Sequence, residues 1–170
     1  MDGVKAAVLL FVAALLQLAV LTEYRPFRSA SIVLVTLLSI ALLRGSVFGA
    51  IAGFGTGLLL DTATLGTLGV TSLLMTVAGF WIGRYGETTA RDRFHAPYLS
   101  VAIVTLLYGF GQLVLQFVLG QPAPAALVIR ALPVALLVNL LLTLPVYALV
   151  RRLFPPLELG DRVREVRLLG

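Results

Sequence analysis

Six apolar stretches, separated by short polar or proline- and glycine-containing breaks, account for most of this 170-residue chain. Only 12% of the residues are charged, against roughly 25% in soluble domains, so a soluble fold could not cover its own surface with polar groups. A helix needs about 20 apolar residues to cross a bilayer, and six such helices occupy about 120 residues. The sequence therefore predicts an all-α membrane protein, a bundle of six transmembrane helices.

The breaks between the stretches define approximate spans. The predicted spans are residues 4–22, 29–43, 46–60, 68–83, 98–119 and 125–150, within a transmembrane domain 1–152 that is followed by a short cytoplasmic tail 153–170. The first stretch lacks a cleavage site, so we expect it to be retained as a helix. Segments two and three rise only about 22 Å, against a hydrocarbon core of about 30 Å, so we expect neighbouring helices to shield them or the bilayer to thin around them.

The placement of the cations predicts the orientation of the bundle. With six spans, ten of the thirteen lysine and arginine residues fall on the side that carries both termini. These are Lys5, Arg44, Arg84, Arg91, Arg93, Arg151, Arg152, Arg162, Arg164 and Arg167, whereas the other side has Arg25, Arg28 and Arg130. The positive-inside rule therefore places both termini in the cytoplasm. The same distribution explains the net charge of +5 as a membrane signal and argues against nucleic-acid binding.

Glycine recurs at every fourth residue of segment three. Gly45, Gly49, Gly53 and Gly57 share one helix face, and Gly79 and Gly83 repeat the spacing in segment four. Helix faces without side chains let two backbones approach closely, and dispersion then drives helix association in lipid. Two interpretations of these faces stay open at this point: packing within the chain, or a docking surface for the transmembrane helix of another protein.

Asp61 is the only acidic residue within the apolar regions of the sequence. A carboxylate at mid-membrane costs about 2.5–3.5 kcal/mol on insertion scales, and such residues are usually functional. Because Asp61 follows only fifteen apolar residues, we expect it near the outer interface, where it can cap the backbone of Ala63 or Thr64 at a turn. Contact with a partner or ligand is the second interpretation, and proton coupling is the third.

The remaining polar residues give no sign of catalysis. Four neutral amides are expected to form hydrogen bonds across helix interfaces: Gln17, Gln112, Gln116 and Asn139. The only histidine, His95, lies in a polar region, 84–97, predicted to be a loop, and cysteine is absent. The chain has no nucleophile elbow, zinc-protease motif or Walker loop. We therefore predict no enzymatic activity, no cofactor and no metal site.

The stretch 48–84 resembles a known family. It contains Gly57-Leu58-Leu59-Leu60-Asp61, then two Leu-Gly pairs, then an apolar helix that closes on Gly79-x-x-x-Gly83-Arg84. This pattern resembles the rod shape-determining protein MreD family, with matching positions Gly57, Leu58, Leu59, Asp61, Gly66, Gly69, Gly79 and Gly83. The chain length, the six spans and the short termini are also similar to that family.

The resemblance implies a non-enzymatic subunit of the bacterial elongation machinery in the inner membrane. MreD-like proteins partner with MreC, a single-span protein, and act with the MreB filament, RodA-type glycosyltransferase and penicillin-binding transpeptidase in peptidoglycan synthesis. The architecture is also similar to the S-components of ECF vitamin transporters, so a small-molecule-binding transport subunit is the alternative function. No two alanines of segment one lie four residues apart, which disfavours the helix face that S-components offer to their energising partner.

Overall fold

The structure, a computed structural model, describes residues 2–21, 31–65, 67–88, 95–120 and 125–154. Every regular element in these ranges is a helix, as predicted. The helices are α1 Asp2–Leu16, continued by a π-helical turn Gln17–Leu21, α2 Ile32–Arg44, α3 Ser46–Ala63, α4 Val70–Thr88, α5 Ala96–Val118 and α6 Ala125–Leu153. Gly66, the predicted cytoplasmic tail from residue 155 and the outer cations Arg25 and Arg28 lie outside the described residues.

Three helical stretches in the described ranges are long and apolar enough to cross a membrane by themselves. They are Ser46–Ala63, Ala96–Val118 and Val128–Leu153. The first two helices are apolar but shorter, and α4 carries Arg84 and Glu87 in its last turns. The helical, membrane-spanning character of the chain is therefore clear, whereas the count of six spans stays a prediction.

The short helix α2 forms the centre of the bundle. All of its residues from Val33 to Leu43 are buried, and the other five helices surround it. A helix of 13 residues rises only about 20 Å. Since its neighbours enclose it, α2 has no need to match the thickness of the hydrocarbon core.

The charged region 84–97 is partly helical, which corrects the prediction of a loop. Helix α4 continues to Thr88, and α5 begins at Ala96, so only residues 89–94 lie outside the described structure. Pro97 occupies the first turn of α5, where its missing N–H has no intrahelical acceptor to lose. His95 lies exposed just before this turn.

Candidate functional site

The glycine repeat of α3 packs directly against α4. Methyl groups added to Gly49, Gly53 and Gly57 would overlap backbone atoms of α4, and one added to Gly83 would overlap the backbone of Gly45. The opposed pairs, from one end of the hairpin to the other, are Gly45 with Gly83, Gly49 with Gly79, Gly53 with Met75, and Gly57 with Ser72. The two helices therefore run antiparallel with their backbones in contact, an approach that side chains on either face would prevent.

This packing assigns the repeat to contacts within the chain. Helix α4 covers Gly49, Gly53 and Gly57, so the transmembrane helix of another protein has no access to this face in the folded hairpin. Gly55 differs from them, because it has no atom within 4 Å of an added Cβ. A surface for a partner helix must therefore lie on a different face from the predicted one.

Asp61 is only 2% exposed and caps a helix other than its own. Its Oδ2 accepts hydrogen bonds from the backbone N–H groups of Gly69, at 2.8 Å, and Ser72, at 3.3 Å. Its Oδ1 accepts one from the N–H of Thr71, at 3.2 Å. These donors belong to the residue before α4 and to the second and third residues of that helix, which have no intrahelical acceptors.

The geometry at Asp61 differs from the predicted local cap at Ala63 or Thr64. The Thr64 N–H donates to the carbonyl of Leu60, at 2.9 Å, as the normal end of α3. Gly69 adopts φ +96°, a left-handed conformation that side chains rarely allow, and so turns its N–H toward the carboxylate. The negative charge also lies beside the positive end of the α4 dipole, which is favourable.

Glu87 has the same role at the opposite end of the hairpin. Its Oε1 accepts a hydrogen bond from the backbone N–H of Ser46, the first residue of α3, at 2.8 Å. The Ser46 hydroxyl donates to the two carboxylate oxygens at 3.1 and 3.2 Å. This role of Glu87 was not predicted from the sequence, although the residue spacing contained the signal. Asp61 follows Gly57 and Glu87 follows Gly83 at the glycine interval, so each carboxylate lies on a glycine face.

A second polar cluster surrounds the N-terminus of α2. The Ser31 N–H donates to Oδ1 of Asn139, at 2.9 Å, and Nδ2 of Asn139 donates to the Thr105 hydroxyl, at 3.1 Å. The side-chain oxygen of Gln17 accepts from the Ser31 hydroxyl and the Val33 N–H, each at 3.1 Å. Asn139 is the middle residue of α6, so α2 begins about 21 Å from either end of that helix. Side chains therefore supply the acceptors that water provides at exposed helix ends.

Two of the four predicted cross-helix amides have that role in the structure. Gln17 and Asn139 bond to other helices or their caps, whereas Nε2 of Gln112 donates to the Tyr108 hydroxyl, one turn earlier in the same helix, at 3.1 Å. The position of an amide along a helix does not tell which face it occupies relative to the bundle.

Replacing Asn139 by leucine should lower the free energy of unfolding by about 1–2 kcal/mol, because the Ser31 N–H and the Thr105 hydroxyl each lose a partner inside the bundle. Gln112→Leu is the matched control, and it should cost less than about 0.6 kcal/mol. Denaturation by sodium dodecyl sulfate in mixed micelles measures both values. Equal losses in the two variants would contradict the cross-helix role of Asn139.

Two apolar grooves open on the sides of the bundle. The α1–α3 groove has a volume of about 670 Å³. Small residues on its walls are Gly3, Ala6, Ala7, Ala52 and Gly55. The α4–α5 groove has a volume of about 440 Å³, and its lining includes Trp81, Tyr85 and Ser100. The grooves that the described part of the chain offers to other molecules are therefore mainly apolar, and they open on the sides of the bundle.

No group of three or more histidine or acidic residues in the described ranges could hold a metal ion. The two carboxylates that lie at helix ends in the hairpin both cap helices of the same chain. These polar groups thus stabilise the bundle, and the described surfaces that stay open to other molecules are the outer helix faces and the two grooves.

Comparison with known proteins identifies the family. A search of curated proteins found no match, and a search of solved structures also found none. The family model of the rod shape-determining protein MreD matches residues 3–154, a range that includes the glycine repeat and both capping carboxylates. This match confirms the resemblance first visible in residues 48–84. The chain therefore belongs to the MreD family of bacterial membrane proteins, whose role is in rod-shape determination.

Proposed function

We propose that this protein is a non-enzymatic scaffold of the cell-elongation machinery in the bacterial inner membrane. It binds an MreC-type protein, and through that partner it supports peptidoglycan synthesis by a RodA-type glycosyltransferase and a penicillin-binding transpeptidase along the MreB filament. The observation that carries the proposal is the family match across residues 3–154. The geometry supports it, because the internal carboxylates serve the fold and the grooves open laterally, where a membrane partner would lie.

All six helices lie in the membrane in this proposal, with α2 inside the bundle and both termini in the cytoplasm. The clustering of cationic helix ends supports the orientation. The Arg44 guanidinium lies 5.2 Å from the ring centroid of Phe154, so the ends of α2 and α6 meet. Gly45 packs on Gly83, which brings Arg84 to the same end. Arg130 lies near the beginning of α6, toward the other end, in agreement with the positive-inside rule.

The transmembrane helix of the MreC-type partner occupies the α1–α3 groove in this proposal. Gly55 leaves open space on one wall, and Gly3 and Ala7 lie four residues apart on the other wall. Small residues on both walls let a third helix approach the two backbones, which is how helices associate in lipid. A single-span partner offers one helix to the membrane, and that helix would lie against the two walls of this open groove.

Enlarging Gly55 should weaken partner binding without unfolding the chain. The substitutions Gly55→Ala, Gly55→Val and Gly55→Leu place increasing volume in the groove, and the largest should reduce affinity by about 5- to 150-fold. Co-purification of the full chain with the MreC-type protein from co-expressing membranes gives the ratio of the two proteins. Thermal unfolding of each variant checks that the bundle is intact.

Leu137→Phe is the control for added bulk on a lipid-facing surface, because Leu137 is 70% exposed on α6 and lies outside the groove lining. It should leave the ratio unchanged. If the unaltered chain does not co-purify with its partner, the scaffold proposal is wrong. If the unaltered chain binds and Gly55→Leu binds equally well, only the assignment to the α1–α3 groove is wrong.

A further inference from the structure

The α4–α5 groove contains a buried hydroxyl that nothing in the described residues uses. Ser100 is 3% exposed, and its Oγ has no hydrogen-bond partner there. Other buried hydroxyls of the bundle, such as those of Thr36 and Ser39, donate to the carbonyl four residues earlier. A buried hydroxyl without an acceptor is unfavourable. Ser100 is therefore placed to donate to an acceptor that enters the groove.

The length of the groove fits one leaflet of a bilayer. Its lining runs from Tyr85 and Leu99 at one end to Leu74 and Tyr108 at the other, about 15 Å along the helices. The hydrocarbon core is about 30 Å thick, so this distance corresponds to a single leaflet. The acyl chain of one phospholipid matches this length.

The Ser100 end of the groove has the features of a membrane–water interface. Trp81, 64% exposed, and Tyr85 both line the groove near this end, and these two residue types are enriched at interfaces. Arg84 follows Trp81 by three residues and Val77 by seven, so it lies on the same side of α4. Its side chain is 63% exposed and 3.7 Å from a Glu87 oxygen. A guanidinium group therefore stands at the mouth of the groove.

We propose that the α4–α5 groove binds one anionic diacyl phospholipid. One acyl chain lies along the groove, an ester carbonyl accepts the hydrogen bond of Ser100, and the phosphate pairs with Arg84. The anionic headgroup is preferred because an interfacial cation attracts it more than a zwitterionic one. On the topology proposed above, the lipid comes from the cytoplasmic leaflet.

Trp81 is the single tryptophan of the chain and lines the groove, so its fluorescence reports on the occupant. The full-length protein is placed in phosphatidylcholine vesicles that contain increasing fractions of acyl-brominated phosphatidylglycerol or, in a second series, acyl-brominated phosphatidylcholine. Bromine quenches tryptophan on contact. Half-maximal quenching should require an about fivefold lower mole fraction of the anionic lipid, the preference that one interfacial cation confers.

Three substitutions separate the parts of the site. Ile103→Phe fills the groove and should abolish the anionic preference, whereas Leu137→Phe on α6 should preserve it. Arg84→Gln should make the two brominated lipids equally effective. Because the host and both brominated lipids carry the same ester carbonyl, Ser100→Ala is tested in micelles of a detergent without an ester group, where it should raise the mole fraction of brominated phosphatidylglycerol that half-maximal quenching requires. Thermal stability should be unchanged or higher, because the substitution removes a buried hydroxyl that has no partner within the described structure. A serine with a merely structural role would not alter the quenching curve.

Equal quenching by the two brominated lipids in the unaltered protein would overturn the proposal. An equal effect of Ile103→Phe and Leu137→Phe would also overturn it, because the loss of the anionic preference would then not be specific to the groove. Unchanged quenching in Ser100→Ala would overturn the role of the hydroxyl. Circular dichroism and thermal unfolding of every variant confirm that the fold is retained before the curves are compared.

Discussion

Gly53→Ala should destabilise the folded chain, whereas Gly55→Ala, two residues along the same helix, should not. A methyl group at Gly53 overlaps the backbone carbonyl of Met75, which cannot move without separating α3 from α4. A methyl group at Gly55 enters open space. Both substitutions raise helix propensity equally, by up to about 1 kcal/mol. The difference between their free energies of unfolding therefore measures the cost of the overlap alone. Overpacking of this kind costs about 1–3 kcal/mol, which is the difference we expect.

The comparison is measured by unfolding the two variants in the same detergent, by heat or by sodium dodecyl sulfate, with helicity followed by circular dichroism. Gly49→Ala provides a second case, because its methyl group overlaps the carbonyl of Gly79. It should behave like Gly53→Ala. If all three variants unfold at the same point, the backbones of α3 and α4 are not in contact, and the hairpin described above is wrong.

Asp61→Ala should lower the free energy of unfolding by about 2–4 kcal/mol, because three backbone N–H groups at the start of α4 lose one shared acceptor. Asp61→Asn should lose about half as much, since the amide retains one acceptor oxygen but has no charge to oppose the helix dipole. Thr62→Ala is the control. Its hydroxyl is exposed and donates only to carbonyls of its own helix, so its effect should stay within about 0.5 kcal/mol.

Hydrogen exchange gives the sharper measurement for Asp61. Loss of the carboxylate should speed exchange at the amides of Gly69, Thr71 and Ser72, whereas amides in the middle of α4 should change little. A uniform increase along α4 would instead indicate that the whole hairpin opens. Unchanged exchange at these three amides in Asp61→Ala would contradict the capping role.

The existence of the helices could be predicted because it depends on local features. Apolar runs between charges and prolines specify helices in lipid, and each predicted span overlaps a helix of the structure. The helix ends were less predictable. Residues 84–88 continue α4, and Glu87 in this last turn caps α3 across the hairpin. Hydropathy alone predicts a loop there, because the turn is charged.

The candidate site could be predicted only in part. The glycine spacing indicated a close helix contact, but glycine has no side chain that could specify the helix it meets. Asp61 indicated a cap, but its donors lie eight to eleven residues away, beyond the turn that follows α3. Ser100 gave no signal at all, because a serine in a transmembrane helix usually bonds to its own backbone.

The amino-acid sequence by itself determined that this chain folds in lipid, that its glycine faces suit close contact with a neighbouring helix, and which family it belongs to. These follow from composition, from a four-residue period and from a motif, all of which are local. Only the tertiary structure decided that α3 meets α4 of the same chain. Their antiparallel packing places each helix C-terminus beside the other's N-terminus, so Asp61 and Glu87 become reciprocal caps. The glycine faces are thereby enclosed, and the lateral grooves are the surfaces to which we assign recognition.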